Sequence, residues 1–317
     1  ELPEDLLTQI PDASELPAGH KSGFVAVIGH PNVGKSTLMN AILGEKIAIV
    51  SPKPQTTRLR QLGILTTPTF QLVFIDTPGI HQPVHKLGEF MNQVAEDALR
   101  DSDVIIWLVE AHKPPGEEDQ HIAQRLRSIR QLPPVILALN KADVLSLDQL
   151  AQREEDYANI FASQFLLSIS AQKGSGLETL QDLIIAQIPV NPPFFNEEQI
   201  TDFYERDIAA ELIREAALLH LREEIPHGVA VRIDEFTERS DQGAYIHATL
   251  FVERESHKAI AIGKGGEMLK KIGSSARLEI EGMSGRKVFL DLHVKVNKNW
   301  RDRPDALRWL GYSRDKE

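Results

Sequence analysis

The sequence predicts an α/β domain built on a mostly parallel sheet, followed by a smaller α+β domain. Three observations lead there. From Phe24 to about Ile188 short apolar runs alternate with amphipathic stretches, and a glycine-rich turn separates the first run from the first helix. The stretch IPVNPPFFNEEQIT, Ile188 to Thr201, carries three prolines and no hydrophobic period, and a different pattern begins after it. With 317 residues and about 100 to 200 per domain, two domains are expected. The expected division is a flexible leader over 1–21, a first domain over 22–188, a linker over 189–201, and a second domain with a C-terminal tail over 202–317.

In the first domain, FVAVIG reads as a strand and KSTLMNAILG as the helix after it. QLGILT and FQLVFID are joined only by TPT, too short for a helical crossover, so they should pair antiparallel. DVIIWLVE, PVILALN and QFLLSIS follow with helical stretches between them. Their continuous apolar character fits strands covered on both faces. In the second domain, the long helix YERDIAAELIREAALLHLREEI precedes the strands VAVRIDEFTER and AYIHATLFVERE. A helix and turn around GKGG, another helix and the strand KVFLDLHVKV complete the order αββααβ.

Composition narrows the classes. Hydrophobic residues at 42% and charged residues at 26% are ordinary for a folded globular chain. The absence of cysteine removes disulfides, thiolate nucleophiles and cysteine-bound zinc. Apolar runs such as Val104 to Val109 fall far short of the roughly 20 residues of a membrane span, so no transmembrane segment is expected. The acidic start ELPEDLLTQIPDASELPAGH does not read as a secretory signal, and Glu at position 1 suggests a processed or trimmed chain. Charge is divided unevenly: 17 Lys+Arg against 14 Asp+Glu from His227 onward, 18 against 32 before it. A mildly basic end on an acidic chain points to a local polyanion site.

Gly29-His30-Pro31-Asn32-Val33-Gly34-Lys35-Ser36 fits G-x-x-x-x-G-K-[ST] between a strand and a helix. Triphosphate chemistry calls for this arrangement. Glycines let backbone N–H groups wrap the phosphates, the helix start at Lys35, Ser36 and Thr37 adds positive potential, and Lys35 reaches the outer phosphates. Ser36 is the expected Mg²⁺ ligand. Asp76-Thr77-Pro78-Gly79 ends a strand, which puts Asp76 at the carboxyl edge of the sheet to act on Mg²⁺ through water, and the Gly79 N–H within reach of a γ-phosphate. Between them lies the polar connection Gln55-Thr56-Thr57-Arg58, in which either threonine could close over Mg²⁺.

Asn140-Lys141-Ala142-Asp143 makes the site a guanine site. The Asp143 carboxylate can accept from guanine N1–H and the 2-amino group, whereas adenine offers neither donor. Asn140 suits the N7 and O6 edge, Lys141 can cover the base, and the Ala171 N–H in Ser170-Ala171 can donate to O6. The position after Gly79, where many GTPases keep a water-orienting Gln, is Ile80, so intrinsic hydrolysis is expected to be slow and to need help.

Gly263-Lys264-Gly265-Gly266, in AIAIGKGGEMLKKIG, resembles the GXXG loop of a KH domain of type II topology. Such a loop presses its backbone on the phosphates of unpaired RNA while an apolar groove takes the bases. Ile262 and the cations Lys258, Lys264, Lys270, Lys271 and Arg277 lie around it.

GHPNVGKS, QTTR, DTPGI, NKAD and ISA, with a linker and a GKGG-bearing KH domain, together resemble the Era GTPase family over about residues 22 to 312. The resemblance implies a P-loop GTPase turning GTP into GDP and phosphate. It implies binding to the 3′ end of 16S-type rRNA and a part in assembling the small ribosomal subunit. It selects Thr57 over Thr56 for Mg²⁺, giving Lys35, Thr57 and Gly79 as the catalytic set, and it suggests that Asn32 holds a K⁺ ion that aids hydrolysis. It implies a cytoplasmic location with peripheral contact at the inner membrane, a chloroplast stroma or mitochondrial matrix fitting as well. The acidic leader before Lys21 departs from the compact family pattern. The alternative is a membrane-associated or tRNA-modification GTPase, which should carry an anchor or a catalytic domain in place of GKGG.

Overall fold

The computed structural model describes residues 19–51, 53, 56–79, 83–240 and 243–312. They fall into two compact units. The first comprises the described residues of Glu1–Ile47, Leu59–His81 and Met91–Asp202, the second those of Ala48–Arg58, Gln82–Phe90 and Phe203–Glu317. Two short segments inside the first domain's sequence pack with the second unit, so the units are not contiguous in sequence.

In the first unit β1 (Lys21–Ile28), β2 (Gln61–Thr66), β3 (Phe70–Asp76), β4 (Val104–Glu110), β5 (Val135–Asn140) and β6 (Phe165–Ser168) form one sheet in the order β2-β3-β1-β4-β5-β6. Only β2 and β3 pair antiparallel, across the short TPT turn. Helices α1 (Lys35–Leu43), α2 (Lys86–Arg100), α3 (Glu117–Ser128) and α4 (Leu147–Ile160) lie between the strands, and α5 (Leu177–Gln187) follows β6. All seven residues of β4 are buried, as expected for a strand covered on both faces. Trp107 sits at its centre, edge-on to Phe161 with ring centroids 5.6 Å apart. The register places Val27 beside Asp76 and Glu110 beside Asn140. The polar strand ends Asp76, Glu110 and Asn140 thus lie along one edge of the sheet, where α/β folds bind ligands.

The proline-rich stretch is no loose tether. Lys21 bridges Val190, Thr201 bridges Gly63, and the Ile64 N–H donates to Ile200 O at 2.9 Å. Gln71, wholly buried on β3, accepts from the N–H groups of Phe194 (2.7 Å) and Phe195 (3.1 Å) and donates to Phe195 O (2.8 Å). The Phe194 ring lies 4.9 Å from that of Phe24. The leader reading also ends early: His20 is buried and Lys21 already belongs to β1, while residues 1–18 lie outside the described ones.

The second unit contains α6 (Glu205–His220), β7 (Ala230–Ser240), β8 (Gly243–Val252), α7 (Glu255–Ile262), α8 (Glu267–Ser284) and β9 (Lys287–Val296), then α9 (Pro304–Trp309). β7 and β8 are antiparallel, β8 and β9 parallel. Leu212, Ile213 and Ala216 of α6 and Ile272, Ala276 and Ile280 of α8 share one core with Ile246, Ala248 and Leu250 of β8. The helix expected to reach Ile225 stops at His220, because Leu221 turns into extended conformation and buries its side chain.

Candidate functional site

The loop between β1 and α1 is held by side chains from later strands. Gly34 has φ 104°, and a Cβ there would stand 2.4 Å from Asn140 Nδ2, so only glycine fits. Asn140 uses both ends of its amide: Nδ2 donates to Val33 O at 2.7 Å, and Oδ1 accepts from the Ala171 N–H at 2.9 Å. The two groups expected on guanine O6 and N7 are therefore engaged with each other and fix three loops together. The Ala142 N–H adds a bond to Ile169 O at 3.0 Å, and Ser170 O accepts from the Gly174 N–H at 2.8 Å.

Lys141, itself in the left-handed region at φ 63°, donates to Asn32 O at 3.0 Å and pairs with Glu110. Burial would push the Glu110 carboxyl up, but its bonds to Lys113 and Lys141 hold it below the ordinary range. Glu110 was not singled out from the sequence. Its signal was a lone acid ending the otherwise apolar strand VIIWLVE. Asn32 also has positive φ, 68°, a conformation asparagine tolerates in turns. Asp143 is exposed beside Lys141 and has no hydrogen-bond or ion-pair partner among the described residues.

Lys35 is buried and donates to Gly29 O and His30 O, both at 3.2 Å. Burial lowers its pKa to about 8, against the opposing pull of Asp76. Ser36 Oγ donates to Asp76 Oδ2 at 2.7 Å. Two hard oxygen donors brought together beside a phosphate-type loop fit Mg²⁺. Thr77 anchors its strand end through Val27 O at 2.8 Å. Thr77, Pro78 and Gly79 are buried, and a Cβ on Gly79 would meet Pro31 N at 2.8 Å. His30 Nδ1 lies 3.0 Å from Pro31 O, and Thr37 is half-buried in the first turn of α1. Ile80 and Gln55 lie outside the described residues.

Thr57 belongs to the second unit, and its neighbours are fastened there. Thr56 O accepts from Arg214, and Arg58 is almost wholly buried, donating to Val229 O at 2.5 Å and His227 O at 3.0 Å. Its guanidinium faces the rings of Trp300 and Tyr312 at 5.6 and 6.0 Å. Such pairing is what a buried cation requires. Earlier in the segment, the Val50 N–H donates to Glu215 Oε1 at 2.8 Å. No pattern in QTTR announced this role for Arg58.

In the same unit, α7 ends at Ile262 and α8 starts at Glu267, with Gly263-Lys264-Gly265-Gly266 as a turn between them that exposes Lys264 and Gly265. Gly263, Gly265 and Gly266 all have positive φ. A Cβ on Gly263 would meet Met268 N at 2.9 Å, whereas Gly265 has nothing within 4 Å. Lys264, Lys270, Lys271 and Arg277 are exposed, Lys258 is half-buried, and Ile262 packs on the core. The turn offers a bare backbone with cations close by, suited to phosphates of an unpaired strand.

Comparison with known proteins finds family models in both parts of the chain. Residues 24–141 match the family model of the 50S ribosome-binding GTPase, and residues 224–301 that of the KH domain. The GTPase Era of Ruminiclostridium cellulolyticum is 49% identical over 297 residues, 94% of this chain and 99% of its own. That of Heliobacterium modesticaldum is 47% identical with the same coverage. A crystal structure of Era with MgGDPNP and nucleotides 1506–1542 of 16S ribosomal RNA superposes with TM-score 0.89 at 39% identity, over 93% of this chain and 99% of that one. A point variant of Aquifex aeolicus Era bound to GDP.AlF4- gives 0.88 at 39%, over 92% and 99%.

Proposed function

The chain belongs to the Era family of GTPases, and on that premise we propose that it is a GTP-hydrolysing assembly factor of the small ribosomal subunit. In this reading its KH region grips the 3′ end of 16S-type rRNA, and the nucleotide state governs that grip. Support comes from the presence in one chain of the braced phosphate loop and the GKGG turn, together with a relative, matched over 99% of its own length, solved with MgGDPNP and 16S nucleotides 1506–1542.

Within the site, the loop Gly29 to Ser36 takes the phosphates, Lys35 the outer ones, and Asp143 reads guanine. Asn140 acts chiefly by holding the loops, given its bonds to Val33 and Ala171. Ser36 directly, Asp76 through water and Thr57 in the GTP state would hold Mg²⁺, which would supply positive charge to the phosphates. Gly79 reports the γ-phosphate. With Ile80 unable to orient water, hydrolysis is slow, and the exposed Asn32 is assigned K⁺. Equal turnover in K⁺ and Na⁺ would remove that assignment. No helix among the described residues is long and apolar enough to cross a membrane.

We assign the nucleotide's effect on RNA to the segment holding Thr57. A nucleotide that draws Thr57 onto its γ-phosphate pulls on residues fastened through Arg58 and Arg214 within the KH-bearing unit. The test measures affinity for a 16S 3′ fragment with GDP and with a nonhydrolysable GTP analogue. Gly265→Asp with Lys264→Asp should abolish RNA binding in both states. Arg58→Met should bring the two affinities together. Unchanged RNA affinity in the first variant would sink the RNA assignment, and an unchanged ratio in the second the coupling.

A further inference from the structure

The KH-bearing sheet carries a second cluster, on β8 and β9 rather than at the GKGG turn. His247 stands opposite Asp291 and Thr249 opposite His293, so His247, Asp291 and His293 share one face. It is the face away from the buried Ile246, Ala248 and Leu250. Asp291 Oδ2 lies 3.0 Å from His247 Nδ1 and 3.3 Å from His293 Nε2. The three donor atoms all fall within 4.8 Å of one another, and no other trio of His, Asp and Glu does so among the described residues. Ligands at zinc distances in a tetrahedron are about 3.3 Å apart, so two of the three edges are already at that spacing. The third, between the two imidazoles, lies within the same 4.8 Å, and the side chain of His293 is 54% exposed.

A fourth residue stands behind the trio. The pairing of β7 with β8 shifts register between Ile233 and Glu235, leaving Asp234 as the bulged residue. Its Oδ2 lies 3.8 Å from His247 Nε2, while Thr249 Oγ1 and Arg232 hold the carboxylate in place. His247 therefore has one nitrogen turned to Asp291 and the other to a fixed carboxylate. That is how metal-bound histidines are commonly oriented, the outer acid setting the tautomer.

We propose that His247, Asp291 and His293 form a binding site for a divalent transition-metal ion of the zinc class, with Asp234 as the outer partner that orients His247. Two imidazoles and one carboxylate suit Zn²⁺ and leave a fourth position for water. The ion ties β8 to β9 and stiffens the sheet without entering GTP chemistry.

The test uses the full chain, with Zn²⁺ in calorimetric titration and Co²⁺ as a spectroscopic probe. One tight ion per chain is expected, with the intense visible absorption of a four-coordinate Co²⁺ site and a rise in Tm on adding Zn²⁺. His247→Ala with His293→Ala should weaken Zn²⁺ by about 100-fold or more and abolish both the Co²⁺ band and the Tm rise, with GTP affinity unchanged. Asp234→Asn should cost about 10-fold. The exposed His293→Gln serves where the double variant fails to fold. Equal Zn²⁺ affinity in parent and variants, or a pale six-coordinate Co²⁺ spectrum on the folded parent, overturns the site.

Discussion

The chain carries two glycine loops that open onto helices, and they are built oppositely. The loop from Gly29 to Ser36 is interlocked: Asn140 fills the space over Gly34, Lys141 holds Asn32 O, and Lys35 is folded back onto Gly29 and His30. The loop from Gly263 to Gly266 is open, with Lys264 exposed and no neighbour within 4 Å of a Cβ on Gly265 or Gly266. Both offer backbone to phosphate, but the first is shaped in advance for one triphosphate and the second leaves room for a strand to pass. Selectivity goes with bracing, tolerance with exposure.

The sharpest way to break this contrast is Gly34→Ala. The strained φ costs about 1–2 kcal/mol and displacing Asn140 from two buried partners about 1–3 more. GTP affinity should fall by about 1000-fold in calorimetry. A loss under about tenfold would show the loop to be less rigid than its contacts imply.

Next come two variants at one motif that should behave differently. Asn140→Ala removes a brace, so GTP, GDP and xanthosine nucleotides should all weaken by about 100-fold, roughly 3 kcal/mol. Asp143→Asn removes a reader, so GTP should weaken by a similar factor while xanthosine triphosphate gains. Equal selectivity in the two variants would merge the roles.

A smaller effect follows from Lys35. Burial holds its pKa at about 8, and a bound phosphate raises it. Below that pH the ammonium exists with or without nucleotide. Above it the free protein must take up a proton on binding, so GTP affinity should decline by about tenfold per pH unit. Calorimetry in buffers of different ionisation heat should register the proton uptake above about pH 8, and Lys35→Arg should lack it.

Least disturbing is Gly265→Ala. With φ 61° and open space around it, the change should cost about 1 kcal/mol, lower RNA affinity by less than about tenfold and leave GTP binding untouched. A large loss would place RNA backbone against that Cα, and comparison with Gly265→Asp would then separate bulk from charge.

The mostly parallel character of the first sheet, the antiparallel β2–β3 pair and the second unit's αββααβ order were legible because each rests on local period and loop length, whereas the order of strands across the sheet was not. The phosphate loop and the guanine motif were legible because their chemistry needs fixed spacing. What escaped were single residues acting over long sequence separations. Gln71 looks like an ordinary polar position in a strand, yet it holds the backbone of Phe194 and Phe195. Glu110 and Arg58 escaped for the same reason, since their partners are fixed only by the tertiary fold. Asn140 was read for its chemistry toward a base, while the fold gives its amide two protein partners.

The seating of Ala48–Arg58 bears on how the protein can be taken apart. A fragment beginning at Phe203 would leave the carbonyls of Val229 and His227 without Arg58 and the Glu215 carboxylate without the Val50 N–H. The KH-bearing half is therefore not a detachable cartridge. Its wall includes a strip cut from the nucleotide half's own sequence, and exchanging KH domains between relatives would have to carry that strip along.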